Sequence, residues 1–221
     1  MAAKVLGISA SPQQGGKVDR LVEEVLGASR LPHELVRLHA LDLRPCKACH
    51  ACRADNVCTL EDDWGALSDK ICEANALVFG GWGFAGMIDA STKLVMERFW
   101  SLRHHRQLAR GKVGVAVVVG ANPELAGTLA DGLLQFMRNN GMHALGRVTA
   151  AGANPCLGCE DALADCEYSG VVAQYGLLER PGQSMYNPLE FQLASLKAAR
   201  VLGQRIGHKL QHLTARGAEV V

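Results

Sequence analysis

Cys46, Cys49 and Cys52 follow one another at steps of three, and Cys58 comes six residues later. Thiolates this close together can wrap one compact inorganic centre, and a C-x2-C-x2-C run with a further cysteine nearby suits a cubane [4Fe–4S] cluster. Structural zinc draws on separated cysteine pairs, so a third cysteine at once is one more than a zinc knuckle needs. A disulfide framework belongs to small secreted domains with weak cores. Iron–sulfur is the preferred reading, with zinc and redox-active thiols as its alternatives. A second group, Cys156, Cys159 and Cys166, follows the turn-like Asn154-Pro155. It is a candidate second metal site, for zinc or iron–sulfur, with Cys72, Asp161 or Asp165 as a fourth ligand; inert or redox-labile thiols are the alternative. Cys72 by itself reads as a buried core thiol on a helix.

Three other loops could hold a ligand. Lys4 to Ser9 is an apolar run leading into Ala10-Ser11-Pro12-Gln13-Gln14-Gly15-Gly16, and a helical pattern through Val18, Leu21, Val22, Val25 and Leu26 follows. Strand, small-residue loop and helix in that order set backbone amides and a helix N-terminus at one point, as a phosphate site requires. The loop matches neither G-x-G-x-x-G nor a P-loop, and an ordinary strand-to-helix turn explains it equally well. Ala76 to Gly80 leads into Gly81-Trp82-Gly83-Phe84-Ala85-Gly86, either a loop folding over a flat ring or an aromatic plug under a helix. Val113 to Val119 opens into Gly120-Ala121-Asn122-Pro123.

The elements that must position these loops are legible from periodicity. Glu34 to Leu38 alternates like a second, more exposed strand, which would put the cysteine loop at its C-terminal end. Asp62 to Cys72 reads as a helix with Asp62 or Asp63 as N-cap. A further helix is expected from about Ile88 to His105; its basic end, Arg103 to Arg106, complements the helix dipole or binds an anion. Leu125 to Asn140 is helical, a fifth strand lies near Leu145 to Ala150, and Gly152 to Pro188 is poorly periodic. Leu189 to Leu213 closes the chain as an amphipathic helix, with Leu189, Leu193, Leu196, Ala199, Val201, Leu202 and Ile206 on its apolar side. Strands alternating with helices predict an α/β doubly wound parallel sheet of five strands. One cysteine loop (44–60) follows strand two, and a second cysteine-containing insertion (152–188) precedes the C-terminal helix (189–213). No repeat or linker divides residues 1–221, which read as one domain. Ligands of such sheets bind beyond the carboxyl ends of the strands, where the three loops converge.

With 221 residues, 48% hydrophobic and 20% charged, the chain can bury a full core without covalent staples. A net charge of +1 offers no footprint for nucleic acid or an anionic membrane surface. No apolar run is long enough to span a bilayer, and the N-terminus lacks a leader pattern. The expectation is a cytoplasmic protein whose eight cysteines stay reduced.

The chain resembles the iron–sulfur flavoproteins, a branch of the flavodoxin-like NAD(P)H-dependent FMN reductase family, from about Lys4 to Ala150. The family's first loop, Gly-Ser-Pro-Arg-x-x-Gly-Asn-Thr, stands here as Ala10 to Val18, without its Arg, Asn and Thr. Its second loop, Ser-Pro-Val-Tyr, corresponds by position to Gly81 to Phe84, and its helix Lys and Arg match Lys93 and Arg98. The cysteine run matches the compact motif that separates this branch from plain flavin reductases.

The resemblance implies FMN beside a [4Fe–4S] centre. Cys46, Cys49, Cys52 and Cys58 would ligate iron. Ser9, Ser11, Gly16, Lys17 and Val18 would surround the phosphate; Gly81, Trp82, Gly83 and Phe84 would lie against the ring, and Gly120 and Asn122 at its edge. Electrons would pass from a ferredoxin-like donor or NAD(P)H to a small-molecule acceptor, in a homodimer or homotetramer. Two other readings share the fold: a cluster-free FMN or quinone reductase, and a flavin-free metal-binding module that docks a partner. No catalytic acid or base is visible.

Overall fold

The structure is a computed structural model, describing residues 3–159, 166–178 and 180–215. Strands β1 (Val5–Ser9), β2 (His33–Arg37), β3 (Ala76–Phe84), β5 (Val113–Gly120) and β6 (His143–Ala151) form a sheet ordered β2-β1-β3-β5-β6, with every neighbouring pair parallel. This is the expected doubly wound, flavodoxin-like arrangement, whose order reverses beside β1. One strand is additional: β4 (Met87–Ile88) pairs antiparallel with the end of β3 through Gly83 opposite Ile88 and Phe84 opposite Met87. Trp82, Gly83 and Phe84 are therefore strand residues of a hairpin, with only Ala85 and Gly86 at its turn. The glycines raised the expectation of a loop here; parallel pairing to β5 as far as Trp82, and antiparallel pairing to β4 from Gly83, carry the strand through them.

Both faces of the sheet are covered. Leu6, Ile8, Leu77, Phe79, Ala116 and Val118 pack under α2 (Trp64–Glu73), α3 (Ala90–Arg98) and α4 (Pro123–Asn139). Val5, Val78, Val115, Val117 and Val148 pack under α1 (Lys17–Ser29) and α6 (Leu193–Ala215). Residues alternate between the two cores, as period-two side chains on a doubly covered strand must. At Gly203 and Gly207 of α6, an added Cβ would sit on the backbone carbonyls of Val25 and Ser29, so these two glycines permit the close approach of α1. A short helix, α5 (Gly170–Tyr175), lies in the insertion.

Several boundaries differ from expectation. α3 starts after the hairpin, capped by Asp89, which accepts from the Thr92 amide at 2.7 Å. It ends at Arg98 in a 3-10 turn, Phe99–Leu102, rather than continuing to His105. α6 begins at Leu193 because Pro188 sets off a separate turn, Leu189–Phe191. Leu193 and Val201 are 70% and 43% exposed, so they leave the apolar stripe, while Leu210 joins it. Cys72 is exposed on α2, not a core thiol. Among the described residues, no helix is long and apolar enough to cross a membrane.

Candidate functional site

The cysteine loop leaves the end of β2 but does not stay there. It crosses to the C-terminal end of α3, where Asn56 fastens it: Nδ2 donates to the Ser101 carbonyl (2.9 Å) and the Arg106 carbonyl (3.1 Å), and Oδ1 accepts from the Arg106 amide (3.0 Å). The sheet-edge placement expected for these sulfurs is thus corrected; the anchor is a polar side chain rather than the strand. Ala48, His50 and Asn56 all have left-handed backbones, with φ of 51°, 60° and 65°. Three such residues in so short a stretch curl the chain on itself, and asparagine accepts this conformation best of the three.

The curl brings Cys46, Cys49, Cys52 and Cys58 onto one pocket, with Arg98, Trp100 and Ser101 on its helix side. Cys52 is 7% exposed; burial pushes its thiol pKa up, and Cys58, Cys46 and Cys49 add to that. Below the pocket lies a buried ion pair that sequence inspection does not disclose. Arg98 and Asp62 are 1% and 0% exposed at their side chains, with Nη1 on Oδ2 at 2.5 Å and Nη2 on Oδ1 at 3.0 Å. Arg98 also donates to the Arg44 carbonyl at 2.7 Å and to the Cys58 sulfur at 3.5 Å, and its guanidinium sits 5.2 Å from the Trp64 ring centre. Burial alone would raise the Asp62 carboxyl, but the Arg98 hydrogen bonds and the Arg44 and Trp64 amides hold it below its usual value. Asp62 was expected as a helix cap; it meets the Trp64 amide at 3.1 Å, yet Arg98 takes both its oxygens.

Four thiols around one zinc, each at about 2.3 Å from the ion, would stand about 4 Å apart. Among the described residues, no three Cys, His, Asp or Glu side chains close on one point in that way. The four cysteines do line one pocket, and four thiols are a donor set that an iron–sulfur cluster or a zinc ion takes. The Arg98 Nε is buried without a partner among the described residues. A cationic donor held beside four thiolates offsets the charge they would bring to such a centre.

The second candidate site lies at the carboxyl edge of the sheet. Ser9 stands beside Gly80, and Trp82 beside Val119, so the ends of β1, β3 and β5 do converge. Asp19 organises the first loop: wholly buried, it accepts from Ser9 Oγ (2.5 Å), the Gly15 amide (2.9 Å) and Arg37 Nε (2.7 Å). Ser11 Oγ and the Gly16 amide both donate to the Gln13 carbonyl, at 2.6 and 3.0 Å. The Ser9 and Ser11 hydroxyls are therefore spent on the loop itself. Gly16 caps α1 without a side chain, and the first helical bond runs from Arg20 N to Gly16 O. The amides of Lys17, Val18 and Asp19 precede it and remain for an anion, which fits a flavin phosphate. Lys17 Nζ donates to the Tyr186 carbonyl at 2.7 Å, and burial followed by Arg20 lowers its pKa.

On the ring side, the Trp82 amide donates to Asp89 Oδ2 at 2.9 Å, while its Nε1 is buried without a partner among the described residues. Phe84, 60% exposed, stands edge-on to Trp82 with ring centres 5.7 Å apart. Gly81 lies against Asp89 and Thr92, and Gly83 against Leu129. Gly120 accepts from the Gly152 amide at 2.6 Å, and Asn122 caps α4 by accepting from the Leu125 amide at 2.8 Å. Asn122 is thus a cap first. Lys93 pairs with Glu97 at 2.6 Å rather than turning to the edge.

In the insertion, Asn154 Oδ1 accepts from the Cys156 amide at 3.0 Å, confirming the turn. Cys72 lies at the end of α2, beside the start of β3 and hence the opposite edge of the sheet, which removes it as a fourth ligand there. Asp161 and Asp165 lie outside the described residues.

Residues 3–154 match the model of a family described as NADPH-dependent FMN reductase. An iron–sulfur flavoprotein of Methanocaldococcus jannaschii is 37% identical over 122 residues, 54% of this chain and 63% of the relative. One of Methanosarcina thermophila is 28% identical over 122 residues, 54% and 64% of the two chains. The match thus spans less than two thirds of these curated relatives. Among solved structures, RosB with the bound intermediate 8-demethyl-8-formylriboflavin-5'-phosphate superposes with a TM-score of 0.70 at 14% identity, covering 100% of this chain and 83% of that one. A flavodoxin from the domain Archaea gives 0.52 at 14% identity, covering 95% and 99%. At such identities these two establish the fold.

Proposed function

The chain belongs to the NADPH-dependent FMN reductase family, and on that premise we propose that it is an iron–sulfur flavoprotein oxidoreductase. In this reading it carries FMN at the sheet edge and a [4Fe–4S] cluster on Cys46, Cys49, Cys52 and Cys58. The observation that carries the reading is the convergence of these four thiols on one pocket backed by the buried Arg98. When bound, the flavin exchanges two electrons as hydride or one at a time and the cluster exchanges one, so together they join two-electron and one-electron partners.

The chain's own residues have separable tasks. The uncapped amides of Lys17 and Val18 hold a phosphate, while Asp19 keeps their loop in shape through Ser9 and Gly15. Trp82 and Phe84 offer aromatic surface to a flat ring, and the Trp82 N–H supplies a donor. Asn56 holds the cysteine loop in its curl, and Arg98 directs an N–H at Cys58 and adds positive charge. Arg98 sits eight residues along α3 from Ala90, about 12 Å of helix at 1.5 Å per residue. That separation supports an assembly in which a second copy brings its own flavin edge toward these thiols. The donor would be ferredoxin-like or a nicotinamide, and the acceptor a small molecule.

The test is anaerobic purification with iron, sulfide, zinc and flavin measured per chain beside the absorption spectrum. Wild type should contain iron and acid-labile sulfide in equal amounts, and Cys49→Ser should lose them. Full iron and sulfide in Cys49→Ser, or zinc in wild type, would defeat the ligand assignment. A yellow, iron-free protein would leave the flavin reading alone.

A further inference from the structure

Cys46 also faces a second and larger cavity, on the side of the loop away from the strand ends. We propose that this cavity is a binding site for a small planar aromatic acid. It measures about 470 Å3, within the range of small-molecule sites. Its walls join three separate parts of the chain: Cys46 and His50 from the cysteine loop, Met96 and Trp100 from α3 and its 3-10 turn, and Phe136 and Asn140 from the end of α4. Ser11, Gly16 and Trp82 are not among its lining residues, so it is distinct from the flavin edge.

The lining specifies what would fit. Phe99 and Phe136 meet at 5.1 Å between ring centres at the floor, and Trp100 remains 40% exposed beside them. A flat ring gains both burial and ring-edge contacts on such a wall. Two polar groups point to the ring's substituents. Arg103, at the rim, lies 5.5 Å from the Trp100 ring centre and has no ion-pair partner among the described residues. The cavity's carboxylate, Glu97, is instead paired with Lys93. Asn140 is only 7% exposed; its Nδ2 donates to the Phe136 carbonyl at 2.9 Å, and its Oδ1 has no donor among the described residues. A guanidinium, the accessible amide oxygen of Asn140 and an aromatic wall complement an aromatic carboxylate or sulfonate that carries an O–H or N–H. Because Cys46 lines the same space, such a ring would lie directly against whatever the four sulfurs hold. That connection to electron transfer rests on the function proposed above; the binding does not.

The test is calorimetric titration of the full chain with 6-hydroxynaphthalene-2-sulfonate, a redox-inert probe, against neutral 2-naphthol. The sulfonate should bind at least about tenfold more tightly, the equivalent of one good ionic contact. Arg103→Ala should erase that preference without changing 2-naphthol affinity. Cys49→Ser should keep sulfonate binding even as it loses iron, so the failure of one proposal is distinguishable from the failure of the other. No sulfonate binding at millimolar concentration, or equal binding by Arg103→Ala, overturns the site. So does sedimentation showing an assembly that Trp100→Glu dissolves while the sulfonate fails to bind; the occupant is then a second copy of the chain.

Discussion

Arg98 reaches two chemically different partners at once: the carboxylate of Asp62, through paired hydrogen bonds, and the sulfur of Cys58, 3.5 Å from its Nη2. The pair is almost wholly buried, so its two charges depend on each other. Removing one member of a buried pair leaves the other uncompensated, at a cost of about 3–5 kcal/mol. Arg98→Met and Asp62→Asn should each lower stability in urea melts, Arg98→Met the more severely. In the double variant the loss should be well below the sum. Additive losses would show that the two side chains act independently.

Acid should weaken the same pair. The Asp62 carboxyl is held below its usual value, so its contribution is complete above the ordinary carboxylate pKa of about 4 and is lost as pH falls through the lower native value. Glu34, lowered by its hydrogen bond to Lys70, acts in the same direction. Urea midpoints should therefore decline below about pH 4, and the decline should be shallower in Asp62→Asn. Parallel curves for wild type and variant would remove Asp62 as the source.

Asn56 holds a left-handed backbone and three hydrogen bonds together. Asn56→Ala should cost about 2–3 kcal/mol, since it strands buried backbone groups and strains φ. Iron content after anaerobic purification should fall with it. Asn56→Gly relieves the backbone but not the lost bonds, and should recover only part of the stability. Full recovery would mean that the backbone turn alone sets the loop.

Gly203 and Gly207 stand where α6 meets the α1 backbone. An alanine ordinarily strengthens a helix, by up to about 1 kcal/mol over glycine. Here it collides with a carbonyl, and overpacking of this kind costs about 1–3 kcal/mol. Gly203→Ala should lower the melting midpoint, whereas Gly27→Ala, with open space around it on α1, should raise it. A stabilised Gly203→Ala would refute the close crossing.

The sequence by itself determined the sheet. Continuous apolar runs such as Val113 to Val119 serve only strands buried on both faces, and the helical patterns between them leave one way to cover those faces. It also disclosed the four cysteines as a group, because their spacing is local. Where those sulfurs sit was decided by tertiary structure. Their anchor, Asn56, finds its carbonyls at Ser101 and Arg106, and no periodicity connects residues so far apart. Asp19 escaped notice, and Arg98 was named only through the family's helix pattern, for a related reason: a lone charge on an amphipathic helix looks solvated until the fold removes the water around it. The hairpin through Trp82 and the short run of α3 were likewise settled by pairing partners. Local pattern fixes which segments must be buried; only packing selects the polar groups buried with them and the sulfur each one touches.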